Sequence, residues 1–144
     1  MIRLNVIYPL QKAFLNPLVR RAFGLGIPPP GDALLETRGR NTRRRRITPV
    51  CDGTVGDTFW VVAQHGRRAD YVRNIEADPR VRVCASLHLD DGWRAGTAQI
   101  LDDDDARERQ DTLARKNLWT GLCVYAAGAV GTSPLTIRID LDPR

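Results

Sequence analysis

Short runs of alternating apolar and polar residues recur along the chain after residue 32. In one run Val81, Val83 and Ala85 alternate with Arg80 and Arg82, which is typical of a strand with one buried face. Alternation and β-branched residues, bounded by Gly, Pro or Asp, predict six strands. These strands span residues 33–38, 45–51, 57–64, 80–87, 93–101 and 135–141, with hairpin turns expected at 51–57 and 88–92.

Three further segments have helical patterns. Residues 68–77 carry apolar side chains at helical spacing and end just before Pro79, which limits continuation. The acidic run 102–105 precedes a predicted helix over 106–116, since carboxylates favour the positive end of a helix. The apolar stretch 118–129 is a third candidate. Together these elements predict a mainly β fold with helices (α+β), a six-stranded antiparallel barrel that is closed or split.

Residues 1–30 form a predicted leader before a barrel domain of residues 31–144. Apolar positions recur in the leader at helical spacing while Arg20 and Arg21 stay polar, which predicts an amphipathic helix. One interpretation is that this helix packs on the outside of the barrel. The alternative is contact with a membrane surface through residues 1–27.

Composition favours one globular domain with an acidic ligand. The chain has 144 residues, 42% hydrophobic and 27% charged, which excludes wholesale disorder. Its 22 basic and 17 acidic residues give a net charge of +5, and all the basic residues except Lys12 and Lys116 are arginines. Arginine binds phosphate and carboxylate through a fixed fork of donors. A nucleic acid is not expected, because aromatic residues for stacking make up only 6%.

Cysteine usage and hydropathy bear on the setting of the protein. Cys51, Cys84 and Cys123 are odd in number and far apart, which predicts neither a disulfide framework nor a CxxC motif. We therefore expect a reducing, cytoplasmic setting and interpret Cys123 as a small buried apolar residue. No apolar run reaches the roughly 18 residues of a transmembrane span, and no motif indicates a signal peptide or a metal site.

The most informative segment is the arginine-rich stretch 37–50, TRGRNTRRRRITPV. It places a glycine-containing turn between two predicted strands. Backbone N–H groups, the Thr42 hydroxyl and several guanidinium groups can then converge on one anion. The alternative is a solvated basic turn without a ligand.

Two ordered blocks resemble the deazaflavin-dependent nitroreductase family, the actinobacterial split-barrel enzymes that use coenzyme F-420. The first block is ALLETRGRxTxxxRxxP over residues 33–49. The second is VVAQHG over residues 61–66 with DYVRNIEADPRVRV over residues 70–83. The resemblance implies an FMN-binding split-barrel-like fold and an oxidoreductase that delivers hydride from reduced F-420 to an apolar, electron-poor acceptor such as a quinone, enone or nitroaromatic.

The resemblance also implies which residues bind the cofactor. The family's turn GRK[ST]GxxR holds the phosphate and acidic tail of the deazaflavin, and Asn41 and Arg43 stand where the family has Lys and a second Gly. The family's next strand and turn run beside the deazaflavin ring, and a helix with an aromatic residue and an asparagine follows. The corresponding positions here are Gly39, Arg40, Asn41, Thr42, Arg43, Arg46 and Pro49, then Ala63, Gln64, His65 and Gly66, then Tyr71 and Asn74.

Tyr125 is the implied catalytic residue. It lies in the C-terminal apolar stretch, where nitroreductases of this family place tyrosines over the substrate pocket. Its hydroxyl would donate a proton or hydrogen bond to the acceptor as hydride arrives. Three of these residues have a structural alternative. Tyr125 and Tyr71 would be core residues, and Asn74 would hydrogen-bond a buried backbone group.

Two other functions stay open at this point. A binding or carrier protein for deazaflavin, or for FMN as the second cofactor candidate, would use the same basic turn without turnover. A small nucleic-acid-binding β-barrel ranks last. The sequence leaves monomer and homodimer equally open.

Overall fold

The computed structural model describes residues 32–85, 92–116, 118–128 and 133–143, with the side chains of residues 119 and 125–128 left out. The predicted leader 1–30 lies outside the described residues, as does most of the predicted turn 88–92. No helix in the described part of the chain has the length and apolar character needed to cross a membrane.

The described residues form one antiparallel sheet of seven strands in the order β2-β1-β5-β6-β7-β4-β3. The strands are β1 (Asp32–Arg38), β2 (Arg45–Cys51), β3 (Thr54–Val55), β4 (Thr58–Ala63), β5 (Arg80–Ala85), β6 (Arg94–Leu101) and β7 (Leu135–Leu141). The expected class, mainly β with a few helices, is confirmed. The expected number of six strands is wrong.

The additional strand is β3, within the segment 51–57 that was predicted as a single turn. Gly56 adopts φ +61°, a left-handed conformation that glycine accepts without strain. The reversal is therefore tight enough for Thr54 and Val55 to pair with Phe59 and Thr58. A strand of two residues is too short to show as alternation in a sequence.

The connection between β2 and β3 makes the sheet curl. These strands lie at opposite ends of the strand order, yet only Asp52 and Gly53 separate them. Three Cα–Cα steps reach at most about 11 Å, so the two edges must approach each other. Gly53 crosses β4 directly: its carbonyl accepts the Trp60 N–H at 2.9 Å. The result is a half-barrel, consistent with the predicted split barrel.

The core fills the concave side of this sheet. Alternation directs Leu35, Phe59, Ile137 and Ile139 inward, and all four are fully buried. Burying such side chains is the main favourable contribution to folding.

A 3-10 helix (Gly66–Arg68) and three α-helices complete the described structure: α1 (Asp70–Ala77), α2 (Ala106–Ala114) and α3 (Leu118–Gly128). The predicted helix 68–77 is thus divided between two elements, and the helix predicted over 106–116 ends two residues early. The acidic run before α2 acts as a cap, because the Asp105 carboxylate accepts the Glu108 N–H at 3.1 Å.

The prediction for the cysteines is wrong. Cys51 and Cys123 form a disulfide with a Cα–Cα distance of 5.8 Å, and Cys84 is a buried thiol. The two partners are 72 residues apart, so their spacing carried no signal. An odd number of cysteines argues against pairing of all of them but does not exclude one disulfide. The curl of the sheet brings the end of β2 to α3, where the bond forms.

A β-carbon at Gly53 should break the crossing over β4, because it would lie 1.8 Å from the Trp60 carbonyl oxygen. We expect Gly53→Ala to lower the free energy of unfolding by about 3 kcal/mol or more through overpacking. The control is Gly56→Ala, where a β-carbon meets open space and only the left-handed backbone costs about 1 kcal/mol. Urea unfolding measures both, and equal losses would contradict the closure.

Candidate functional site

The turn between β1 and β2 is a closed loop of backbone hydrogen bonds. The Gly39 N–H donates to the Arg44 carbonyl at 2.8 Å, and the Arg43 N–H donates to the Gly39 carbonyl at 2.8 Å. Arg43 has φ +61°, and among the described residues it is the one non-glycine residue with positive φ. This is the position where the family's pattern has its second glycine, so the left-handed backbone explains that glycine physically.

Three of the predicted phosphate-binding residues meet in this turn. A β-carbon built on Gly39 would lie 3.0 Å from Thr42 Oγ1 and 3.6 Å from Arg46 Nε. The space above the Gly39 backbone is therefore bordered by the Thr42 hydroxyl, by the Arg44 backbone carbonyl oxygen at 3.3 Å, and by the Arg46 guanidinium group. We call this group of residues, Gly39, Thr42 and Arg46, the turn cradle.

The charges around the turn cradle are available to a ligand. Arg44 and Arg46 are exposed, and no acidic side chain in the described ranges pairs with either of them. Thr42 Oγ1 accepts the Arg44 N–H at 3.3 Å, which leaves the hydroxyl hydrogen free to point outward. Two unpaired guanidinium groups and a hydroxyl donor are the chemistry that binds phosphate and carboxylate.

Asn74 anchors the turn to α1. Its side chain is 3% exposed, and Oδ1 accepts the Arg40 backbone N–H at 3.2 Å and Arg40 Nη1 at 2.9 Å. Its Nδ2 donates to Thr37 Oγ1 at 3.2 Å. Arg40 Nη2 also pairs with Asp70 at 3.3 Å. The arginine-rich turn and the helix of the second sequence block are thus joined. The Asn74 side chain is hydrogen-bonded to Arg40 and Thr37 of this protein.

Other cations of the segment face elsewhere. Arg43 pairs with Asp78 at 3.1 Å, and the pKa of Asp78 is held low by the Arg80 backbone N–H and by Arg43. Because Arg45 and Arg46 are consecutive residues of β2, their side chains lie on opposite faces of the sheet. A groove of about 260 Å³ is lined by two acids, Glu36 and Asp78, and by four arginines. Glu36 accepts a hydrogen bond from Arg82 at 2.6 Å and forms a longer ion pair with Arg45 at 3.6 Å. In contrast to these two arginines, Arg46 of the turn cradle pairs with no acidic side chain in the described ranges.

Two predicted positions lie away from the turn cradle. Pro49 is exposed on β2, and alternation places it on the opposite face of that strand from Arg46. Tyr71 packs partly buried against the core. Asn41 is exposed in the turn itself.

The segment 63–66 leads from β4 towards α1. Ala63 is fully buried at the end of β4, and Gln64 and His65 are partly exposed. The Gln64 carbonyl accepts the Ser133 N–H at 3.0 Å. Gly66 has φ +56°, and a β-carbon there would lie 2.8 Å from the Ser133 carbonyl oxygen, so only glycine fits. The 3-10 helix after it carries the chain to Asp70, the partner of Arg40.

Tyr125 belongs to α3, but its side chain lies outside the described residues. The helix itself is held against β2 by the Cys51–Cys123 bond.

Sequence reasoning missed Thr37 and Asp70, the further partners of Asn74 and Arg40. Thr37 is 37 residues from Asn74, and Asp70 is 30 residues from Arg40. Such spacings give no local signal. The alternation of β1 did not separate Thr37 from the surrounding core positions, since five consecutive residues of that strand are buried.

Comparison with known proteins decides the family. The model of the F420H(2)-dependent quinone reductase family matches residues 17–142. The chain belongs to this family. The resemblance to F-420-dependent reductases is thereby confirmed, and coenzyme F-420 is the cofactor. A search of curated proteins finds no match.

Solved structures share the fold at low identity. A structure of the F420-H2 dependent reductase FDR-A has a TM-score of 0.55 and 16% identity, covering 78% of this chain and 94% of its own. The heme storage protein HutZ from Vibrio cholerae has a TM-score of 0.52 and 14% identity, covering 90% and 92%. A putative 5-nitroimidazole antibiotic resistance protein from Bacteroides thetaiotaomicron has a TM-score of 0.56 and 12% identity, covering 86% of this chain and 80% of its own.

The residues present fit the cofactor of the family. F-420 carries a phosphate and an acidic tail, and the turn cradle offers the Thr42 hydroxyl and the Arg46 guanidinium as donors beside the space that a β-carbon on Gly39 would fill. The departures at Asn41 and Arg43 leave the cradle intact, because Arg43 keeps the left-handed backbone.

Replacing Arg43 tests the strain in the turn. Arg43→Gly and Arg43→Ala both remove the exposed pair with Asp78, so their difference isolates the backbone. We expect the Gly variant to exceed the Ala variant by about 1 kcal/mol in free energy of unfolding, because a β-carbon is disfavoured at positive φ. The same two substitutions at Arg44, which lacks positive φ, should not favour Gly. Equal stability of the two Arg43 variants would contradict the strain.

Proposed function

We propose that this family member transfers hydride from reduced F-420 to an apolar, electron-poor acceptor, with quinones preferred over enones and nitroaromatics. The turn cradle supports the proposal, since its Arg46 and the neighbouring Arg44 lack acidic partners in the described ranges and are suited to bind the cofactor's anionic end. Reduced F-420 supplies the hydride when bound. The residues of this chain bind it, orient it and handle the proton.

Binding begins at the turn cradle. The Thr42 hydroxyl and the Arg46 guanidinium donate to the cofactor's phosphate, and Arg44 faces the acidic tail. Arg40 contributes to cofactor binding chiefly by holding the turn in place, because its guanidinium already contacts Asn74 and Asp70. The neutral Asn41 adds an amide donor where the family has a cation.

The ring of the cofactor would lie along the segment 63–66. Within this segment Gln64 and His65 have partly exposed side chains. Pro49 and Tyr71 complete the set of residues proposed to contact the cofactor. A rigid wall of this kind fixes a reacting ring against its partner and contributes through orientation. Gly66 keeps the wall in place through its contact with Ser133.

The acceptor needs a proton after hydride arrives. We assign this proton to the hydroxyl of Tyr125 in α3, which donates to the acceptor's carbonyl oxygen. The apolar character of α3 suits a quinone, and it helps to exclude water from the reacting atoms.

The proposal includes the organisation of the chain. Residues 1–30 act as an amphipathic leader and residues 31–144 as the cofactor-binding barrel. A membrane contact through residues 1–27 would suit an acceptor that dissolves in lipid. Partitioning of the chain into vesicles, with and without residues 1–27, measures that contact.

Removing the Arg46 guanidinium should weaken binding of F-420. We expect Arg46→Ala to raise Kd by about 10- to 150-fold, the value of one charge-assisted hydrogen bond of about 1.5–3 kcal/mol. The control is Arg138→Ala, the same charge change on β7, where Arg138 pairs with Asp140 at 2.9 Å. Fluorescence titration with oxidised F-420 gives both constants. An unchanged Kd for Arg46→Ala, or an equal rise for Arg138→Ala, would rule out the turn cradle.

Removing the Tyr125 hydroxyl should slow turnover without loss of cofactor. We expect Tyr125→Phe to lower kcat with a quinone about 100-fold or more, the usual effect of a general acid. The Kd for F-420 should stay within about twofold, since the hydroxyl faces the acceptor. Steady-state oxidation of reduced F-420 measures kcat. An unchanged kcat would remove Tyr125 from the mechanism.

The choice of acceptor is tested with the unmodified protein. A quinone, an enone and a nitroaromatic of similar hydrophobicity are compared by kcat/KM, and the quinone should be highest. A higher value for another class would overturn the quinone preference. Tight binding of F-420 without oxidation by any acceptor would overturn the hydride transfer proposed here.

A further inference from the structure

The disulfide lies beside a half-buried carboxyl group. Cys51 ends β2, Cys123 lies in α3, and Asp32 begins β1 directly opposite Cys51 in the register. Asp32 Oδ1 is 2.9 Å from Cys123 Sγ. Both sulfur-bearing residues are partly exposed, so a small thiol can reach the bond.

The short contact locates a proton. A distance of 2.9 Å is that of a hydrogen bond, and a disulfide sulfur has no hydrogen to donate. A hydrogen bond between these two atoms in the oxidised state therefore requires the protonated form of the Asp32 carboxyl group. Burial supports this, because it raises the pKa of Asp32 from 3.8 to about 6.

No other described charge competes for that proton. Asp52 and Lys116, the charged residues at the junction of β2 and α3, pair with each other at 3.5 Å. Desolvation is the sole cause of the shift at Asp32, without a contribution from neighbouring charges.

When the disulfide is reduced, Cys123 Sγ becomes the hydrogen-bond donor and Asp32 Oδ1 the acceptor. The Cys123 thiol then carries a hydrogen that it donates to the Asp32 carboxylate. We propose that Cys51 and Cys123 form a redox-active pair in which Asp32 delivers a proton to Cys123 Sγ as the bond is reduced. This inference goes beyond the proposed function and does not depend on it.

The step balances with a dithiol as reductant. One thiolate of the dithiol attacks Cys51 Sγ, the bond to Cys123 breaks, and its electron pair goes to Cys123 Sγ, which takes the proton of Asp32. The second thiol of the reductant then attacks the mixed disulfide, releases Cys51 as a thiol, and leaves the reductant as a disulfide. A stabilised leaving sulfur speeds such an exchange.

The state of this pair decides whether two functional elements are covalently joined. Cys51 ends the strand that carries Arg46, and Cys123 lies two residues from Tyr125. In the oxidised state β2 and α3 are linked. In the reduced state the covalent link is absent, and packing and polar contacts such as the Thr120 hydroxyl on the Asp52 carbonyl at 3.5 Å remain.

The test measures reduction by dithiothreitol between pH 5 and pH 7.5, with rates divided by the reagent's thiolate concentration. Thiols are counted by alkylation after denaturation. Oxidised protein should give one thiol, Cys84, and reduced protein three. The corrected rate of the unmodified protein should fall as pH rises through about 6, where Asp32 ionises.

Asp32→Asn removes the proton and should lower the rate at pH 5 by about tenfold or more and abolish the pH dependence. Asp140→Asn, an exposed acid on β7, should keep the profile of the unmodified protein. Three thiols after oxidant treatment, a flat profile in the unmodified protein, or an unchanged profile in Asp32→Asn would each overturn the proposal. The thiol count and the pH profile of the unmodified protein test the proposal without any variant.

Discussion

Asp52 and Gly53 connect strands at opposite edges of the sheet, and the arrangement of both functional regions depends on this short connection. A span of three Cα–Cα steps forces the edges together, and Gly53 can cross β4 because it has no side chain. The curl brings the end of β2 to α3. The strand with the proposed cofactor-binding arginine and the helix with the proposed proton donor therefore become neighbours, although they are far apart in the chain.

The charge pattern of the turn follows from how it is anchored. Asn74 satisfies the Arg40 backbone N–H with a neutral amide oxygen, so it fixes the turn without adding a negative charge there. Three acids pair with arginines of this segment: Asp70 with Arg40, Asp78 with Arg43, and Glu36 with Arg45. Arg44 and Arg46 keep their charge for a ligand because the structural tasks fall to other residues.

Much of the fold was predictable, because alternation reports burial directly. The strands Arg45–Cys51 and Leu135–Leu141 match their predicted bounds. The arginine-rich turn was also found, since local composition marks it. Long-range pairing was not predictable. The two-residue β3 is too short for a pattern, and the Cys51–Cys123 bond joins positions whose approach depends on the closed sheet.

Arg43 and Asn74 both have structural partners in the protein. Both stand in motif positions that the family uses around the cofactor, but their partners are protein groups 34 or 35 residues away. Arg40 holds the turn to the body of α1, and Arg43 holds it to Asp78 just beyond the end of that helix. A turn fixed at two points loses less freedom when a ligand binds. The contacts of Arg40 and Arg43 thus hold the turn in place before a ligand binds.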